Sequence, residues 1–157
     1  MPLNHSYTAP ISDAAAPVLP SAKATRHLDE RRKLRRVIEE RGLVGLANDT
    51  KWDELLAVMC SRRGWLPSYR YKCVDGPPSG WDVEWYYHLP FPLMSVEWFD
   101  IGRRQETHRG RLISPFITDH SPWIEAALRQ IGFEYEVGPE LIRIFGYAPR
   151  SMELFDE

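Results

Sequence analysis

Apolar residues fall at i, i+3, i+4 and i+7 in Trp52, Leu55, Leu56 and Met59, the spacing that lays one buried stripe along a helix. Asn48, Asp49 or Thr50 can cap its start. Asp53 and Glu54 suit the positive end of its dipole, and Arg62, Arg63 and Gly64 suit its close. A helical pattern also precedes it, with Thr25 as a candidate N-cap, Asp29 and Glu30 early, and a narrow stripe of Leu34, Val37 and Ile38. A third helix is predicted from Asp119 or Ser121, with Pro122 in its first turn, Ile124, Ala127, Leu128 and Ile131 on its inner face, and Gly132 as its stop.

Between the helices the period changes to two. Tyr69–Val74 predicts a first strand with Tyr69, Tyr71 and Cys73 buried and Arg70 and Lys72 in water. Asp75–Gly80 is turn chemistry, because glycine allows positive φ and consecutive prolines donate nothing to a ladder. Trp81–Pro92 is an aromatic loop or a short irregular strand, and Leu93–Ile101 a second strand on which neither face is fully polar. Gly102–Gly110 is expected to be a charged connection leading to a third strand, Arg111–Ile117, in a long hairpin with the second; Pro115 marks that strand as an edge. Phe133–Val137 and Leu141–Tyr147 form a closing hairpin through Gly138-Pro139-Glu140. The order ααβββαββ predicts an α+β, two-layer fold, a mainly antiparallel sheet of about five strands with packed helices.

The same patterns divide the chain. Residues 1–24 are a proline- and alanine-rich tail with little to bury, 25–47 carry the basic helix, 48–150 are the α+β domain, and 151–157 are an acidic, frayed end. At 157 residues one domain can enclose a core without disulfides or metal. Cys60 and Cys73 read most economically as buried free thiols; a bridge between them and a reactive thiol are the alternatives.

Net charge is −2, but the basic helix alone carries seven cations against four acids. The overall balance gives no global attraction to nucleic acid or membrane. No apolar run approaches a membrane span and no leader pattern opens the chain, so a cytoplasmic protein that does not enter membranes is expected.

Candidate chemistry is sparse. Asp82, Glu84, His88 and Glu97 would be the acid and base groups of a small metal-dependent or carboxylate hydrolase. Turn capping and cross-strand pairing account for the same residues. His88, His108, Asp119 and His120 lack the spacing of a metal site, and no catalytic residue, cofactor or metal ligand is assigned. Arg31, Arg32, Lys33, Arg35 and Arg36 are the residues of an alternative, nucleic-acid-binding reading. The leading candidates for a protein partner are Trp81, Trp85, Tyr86, Tyr87 and His88 in the aromatic loop with Arg103, Arg104 and Arg109 beside it, because tryptophan, tyrosine and arginine dominate interface energetics.

Lys51-Trp52-Asp53-Glu54-Leu55, Asp75-Gly76-Pro77-Pro78-Ser79-Gly80-Trp81-Asp82, Ser95-Val96-Glu97-Trp98 and Ile142-Arg143-Ile144-Phe145-Gly146-Tyr147 together resemble a family of small bacterial proteins of unknown function, over roughly residues 45–150. The resemblance implies bacterial origin and one compact domain, and brings no catalytic residue with it. By type alone the chain is also similar to immunity proteins of toxin systems. The expected function is therefore a non-enzymatic protein-binding module, an immunity- or antitoxin-like partner, possessing no cofactor.

Overall fold

A computed structural model describes residues 18–27 and 29–157; most of the expected N-terminal tail, residues 1–17, lies outside the described residues. In chain order the elements are α1 (Glu30–Glu40), β1 (Val44–Gly45), α2 (Asp49–Ser61), β2 (Tyr69–Cys73), β3 (Val96–Gly102), β4 (Arg104–Thr107), β5 (Phe116–Asp119), α3 (Ser121–Ile131), β6 (Tyr135–Val137), β7 (Leu141–Phe145) and β8 (Tyr147–Ala148). The fold is α+β. Its main sheet runs β2-β3-β7-β6, all antiparallel, while β4 pairs with β5 and β1 with β8 as separate two-stranded ladders. No helix among the described residues is long and apolar enough to cross a membrane.

Local signals place α2 and α3 well. The Asn48 side chain accepts the Lys51 amide at 2.9 Å, filling one of the orphan donors at the start of α2. Gly132 ends α3 with φ 92°, a conformation glycine adopts without a Cβ clash. Trp52, Leu55, Leu56 and Met59 of α2, with Ile124 and Leu128 of α3, pack on Tyr69, Phe99, Ile101, Ile142 and Ile144 of the sheet. Each such fully buried side chain contributes roughly 1.5–3 kcal/mol over leaving it in water. Helix α1 begins at Glu30 and not near Thr25, because Asp29 sits in the left-handed region at φ 65° and the Glu30 carboxylate takes the Arg26 amide at 2.9 Å. Its stripe, Leu34, Val37 and Ile38, packs with Val74, Tyr147 and Met94. The segment before it is docked: Ala22 is fully buried, its amide donating to Asp53 and its carbonyl accepting from Leu93.

Four expectations about the strands are corrected. Leu93–Ser95 is a 3-10 turn, so the second strand starts at Val96. The long hairpin of that strand with Arg111–Ile117 does not form, since β3 already has β2 on one side and β7 on the other. The supposed connection supplies β4 instead, and β5 starts only at Phe116. Arg70 is not in water but 6% exposed, on the sheet face opposite α2 and α3. There Asp100 receives Arg70 Nε at 2.9 Å and Arg143 Nε and Nη2 at 2.7 and 2.9 Å.

The acidic end, finally, is not frayed. Buried guanidinium groups need acceptors for their remaining protons, and the carbonyls of Ser151 and Leu154 provide them at 2.9 and 2.6 Å. Phe155 is buried against Gly138 as the same segment closes this face.

Candidate functional site

The aromatic loop is built on the free edge of β2. Tyr69 and Asp82 exchange backbone hydrogen bonds at 2.8 Å, and the Ser79 amide and hydroxyl bond the Tyr71 carbonyl and amide, so the loop covers an edge that would otherwise be open. Its carboxylates then hold its shape. Asp82 Oδ1 accepts the Val83 and Glu84 amides at 2.6 and 2.9 Å, and its Oδ2 lies 2.8 Å from His88 Nδ1. Glu84 accepts the amides of Tyr86, Tyr87 and His88 at 2.6, 2.7 and 2.8 Å.

Both carboxyls titrate below their ordinary values. At Asp82 the Glu84 amide is the main cause; at Glu84 burial opposes ionisation and the three amides outweigh it. Glu97 is elsewhere. The β2–β3 register passes from Lys72↔Trp98 to Cys73↔Val96, leaving Glu97 as the extra residue of a bulge. Its carboxylate meets Arg41 and Lys72, each at 2.8 Å, so it joins neither Asp82 nor Glu84. Such oxygens, committed to amides and cations, are poorly disposed to move protons.

Of the rings, Trp85 is inside: its indole donates to the Pro67 carbonyl at 2.9 Å and its edge meets Tyr69. Tyr86 is half-buried, whereas Trp81, Tyr87 and His88 face solvent, with Arg70 stacked 4.8 Å from the Trp81 ring. Arg103, expected on the contact surface, is turned into its own chain, where it bonds the carbonyls of Gly138 and Pro139 and the side chains of Asp119 and Ser121. Arg104 pairs with Glu140 at 3.4 Å, and Arg109 lies over the Phe116 ring at 4.7 Å.

A further exposed apolar surface lies just past the residues nominated from sequence. On the β4–β5 arm Leu112 is 98% exposed, Ile113 59%, Phe116 50% and Ile117 43%. Sequence reading missed them by placing Arg111–Ile117 in the main sheet. A signal was present: apolar residues come as the neighbouring pairs Leu112-Ile113 and Phe116-Ile117, and a strand half-buried on one face should alternate.

The arm is anchored through His120. Trp123 Nε1 can only donate and does so to His120 Nδ1 at 2.8 Å, so Nε2 carries the proton and donates to Gln105 at 2.8 Å. Trp65 stacks on the imidazole at 4.0 Å, and burial, then nearby Arg62, keep His120 below its ordinary pKa. Asp119 at the arm's base accepts the Ser121 hydroxyl and amide and faces Arg103, which brings its carboxyl to about 2 from an ordinary 3.8. Because the folded form titrates below the unfolded one, this stabilisation is complete above 3.8 and is lost as pH falls toward about 2. Asp119→Asn should therefore destabilise the protein at neutral pH, and urea titrations at a series of pH values should show the gap from the parent closing over that interval.

The remaining candidates do not assemble. Among the described residues no three His, Cys, Asp or Glu side chains could hold a metal ion. Cys60 and Cys73 are both free thiols, raised in pKa chiefly by burial. On α1, Arg31 is committed to Asp49 at 3.1 Å; Arg32, Lys33, Arg35 and Arg36 are exposed, with Glu39 and Glu40 one turn on from Arg35 and Arg36.

Fold and surface thus define a small α+β domain that presents a two-stranded apolar arm. The chain belongs to a family of unknown function, DUF6678, whose profile matches residues 34–151, so the family region begins within α1 and not at residue 45. No curated protein and no solved structure matches the chain.

Proposed function

We propose that this protein is a binding module for another protein and that the β4–β5 arm is its contact surface. The observation that carries this reading is the joint exposure of Leu112, Ile113, Phe116 and Ile117 beside Arg109 and Arg111. Exposed apolar groups rimmed by charge mark interaction sites, and arginine and phenylalanine are enriched in them. The aromatic loop, nominated first from sequence, mainly covers the edge of β2 and the core, and leaves Trp81, Val83, Tyr87 and His88 exposed. An immunity-like role is the narrower form of the proposal, in which the partner is a toxin acting in the same compartment.

Affinity capture from the source cells, run in parallel with the parent chain and with Leu112→Asp/Ile113→Asp, tests it. Both residues are exposed, so the variant should keep the parent's melting temperature and lose one specific bound protein by about tenfold or more. Identical capture by the two chains would refute the assignment of the arm.

A further inference from the structure

Resting on that reading, we infer that the partner contributes an extended, acidic segment, which adds as a strand along the open edge of β5. Among the described residues β5 pairs only with β4, and no backbone hydrogen bond engages Phe116, Ile117 or Thr118 outside that ladder. Alternate residues of such an edge point their N–H and C=O groups outward, a template for a further strand. Phe116 and Ile117 are adjacent, so their side chains leave opposite faces of the ladder, and both are about half exposed. The apolar surface therefore runs round the edge and is not confined to one face. An added strand meets that shape directly, since its own side chains alternate between Phe116 on one face and Ile117 on the other. A lipid surface could take up Leu112 and Ile113 at the tip but offers no strand to pair with the backbone of β5.

Charge sets the chemistry of the segment. At the tip, Arg109 and Arg111 are exposed and have no carboxylate partner among the described residues. At the base each acid is already matched, Asp119 with Arg103 at 2.9 Å and Glu140 with Arg104 at 3.4 Å. Glu106, opposite Ile117 in the ladder, is the arm's unmatched acid, and it lies on β4, one strand removed from the open edge of β5. Among the described residues, the acids that a second copy paired through β5 would bring toward Arg109 and Arg111 from that edge are these matched ones. Free carboxylates must come from a different chain, next to the residues that lie beside Phe116.

A random-peptide display library panned on the full chain, and separately on Arg109→Glu/Arg111→Glu, tests this. The expected selection is rich in Asp and Glu at one end of a stretch of alternating β-branched or aromatic residues. The best such peptide, made synthetically, should shift the amide resonances of Phe116–Asp119 most and weaken when alternate amides are N-methylated. It should bind the charge-reversed variant about tenfold or more weakly, and panning on that variant should turn to Lys and Arg. Peptides without carboxylates, selection indifferent to the reversal, or amide shifts centred elsewhere would overturn the inference. So would self-association abolished by Ile117→Lys, or binding to anionic vesicles with none to peptides. If capture still depends on Leu112 and Ile113 while the panning fails, protein binding by the arm stands and strand addition falls; loss of both results removes both.

Discussion

Replacing Asp100 by asparagine should cost about 3–5 kcal/mol, the range seen when one partner of a buried ion pair is removed and the other is left uncompensated. Asp100 and Arg143 are both fully buried, Arg70 nearly so, and three guanidinium nitrogens converge on the two carboxylate oxygens within 2.9 Å. Asparagine keeps the volume but loses the charge, and turns its amide NH2 toward donors that have no lone pair to offer. Two cations then face each other where water cannot reach them, beside the unpaired indole nitrogen of Trp98. Urea denaturation of the variant should show the loss. Glu140→Gln, which breaks the exposed pair with Arg104, should change stability by about 0–1 kcal/mol in the same assay. Equal, small losses in the two variants would show that the buried network is not what holds the outer face of the sheet.

Gly146→Ala should be nearly as damaging, at about 3 kcal/mol, for a purely steric reason. A methyl group on Gly146 would fall onto the carbonyl oxygen of Val96 and lie 3.1 Å from its carbon and 3.4 Å from the Glu97 carbonyl oxygen. These are backbone atoms held in place, since the Gly146 amide donates to the Glu97 carbonyl at 2.9 Å where β3 bulges. The strands would have to part, which also pulls Glu97 from Arg41 and Lys72. Gly80→Ala is the matched control: nothing lies within 4 Å of the added carbon and its φ is not in the left-handed region, so it should be neutral or slightly stabilising. Thermal melts of the pair separate close approach from a general cost of losing glycine, and a Gly146→Ala protein that melts with the parent would disprove the packing described at the bulge.

The candidate site was only partly legible in the chain. Loop residues with strong turn and aromatic character were correctly seen as unusual, but their count says nothing of direction: Trp85 turns inward because Tyr69 and the Pro67 carbonyl receive it, while Tyr87, two residues on, faces water. Asp82, Glu84 and Glu97 look like one acidic group along the sequence. In space a loop of amides consumes the first two and a bulge aims the third at Arg41 and Lys72. The arm was hidden for the opposite reason, because Leu112-Ile113 and Phe116-Ile117 are apolar and apolar residues are expected inside.

What the sequence determined by itself are the elements whose causes act within a turn or two: α2 with its Asn48 cap, α3 with its Gly132 stop, the β6–β7 hairpin, and hence an α+β fold. Periodicity and capping are short-range, so a single stretch suffices to read them. Tertiary structure alone decided which strands flank β3, where the buried charges meet, and which apolar residues remain outside. Arg70 finds its acceptor at Leu154 and Arg143 finds Asp100, across 84 and 43 positions of chain, and β3 being enclosed on both sides is what leaves β4 and β5 to stand apart as an arm. Burial depends on which distant segments arrive at a surface, and that is a property of the assembled fold.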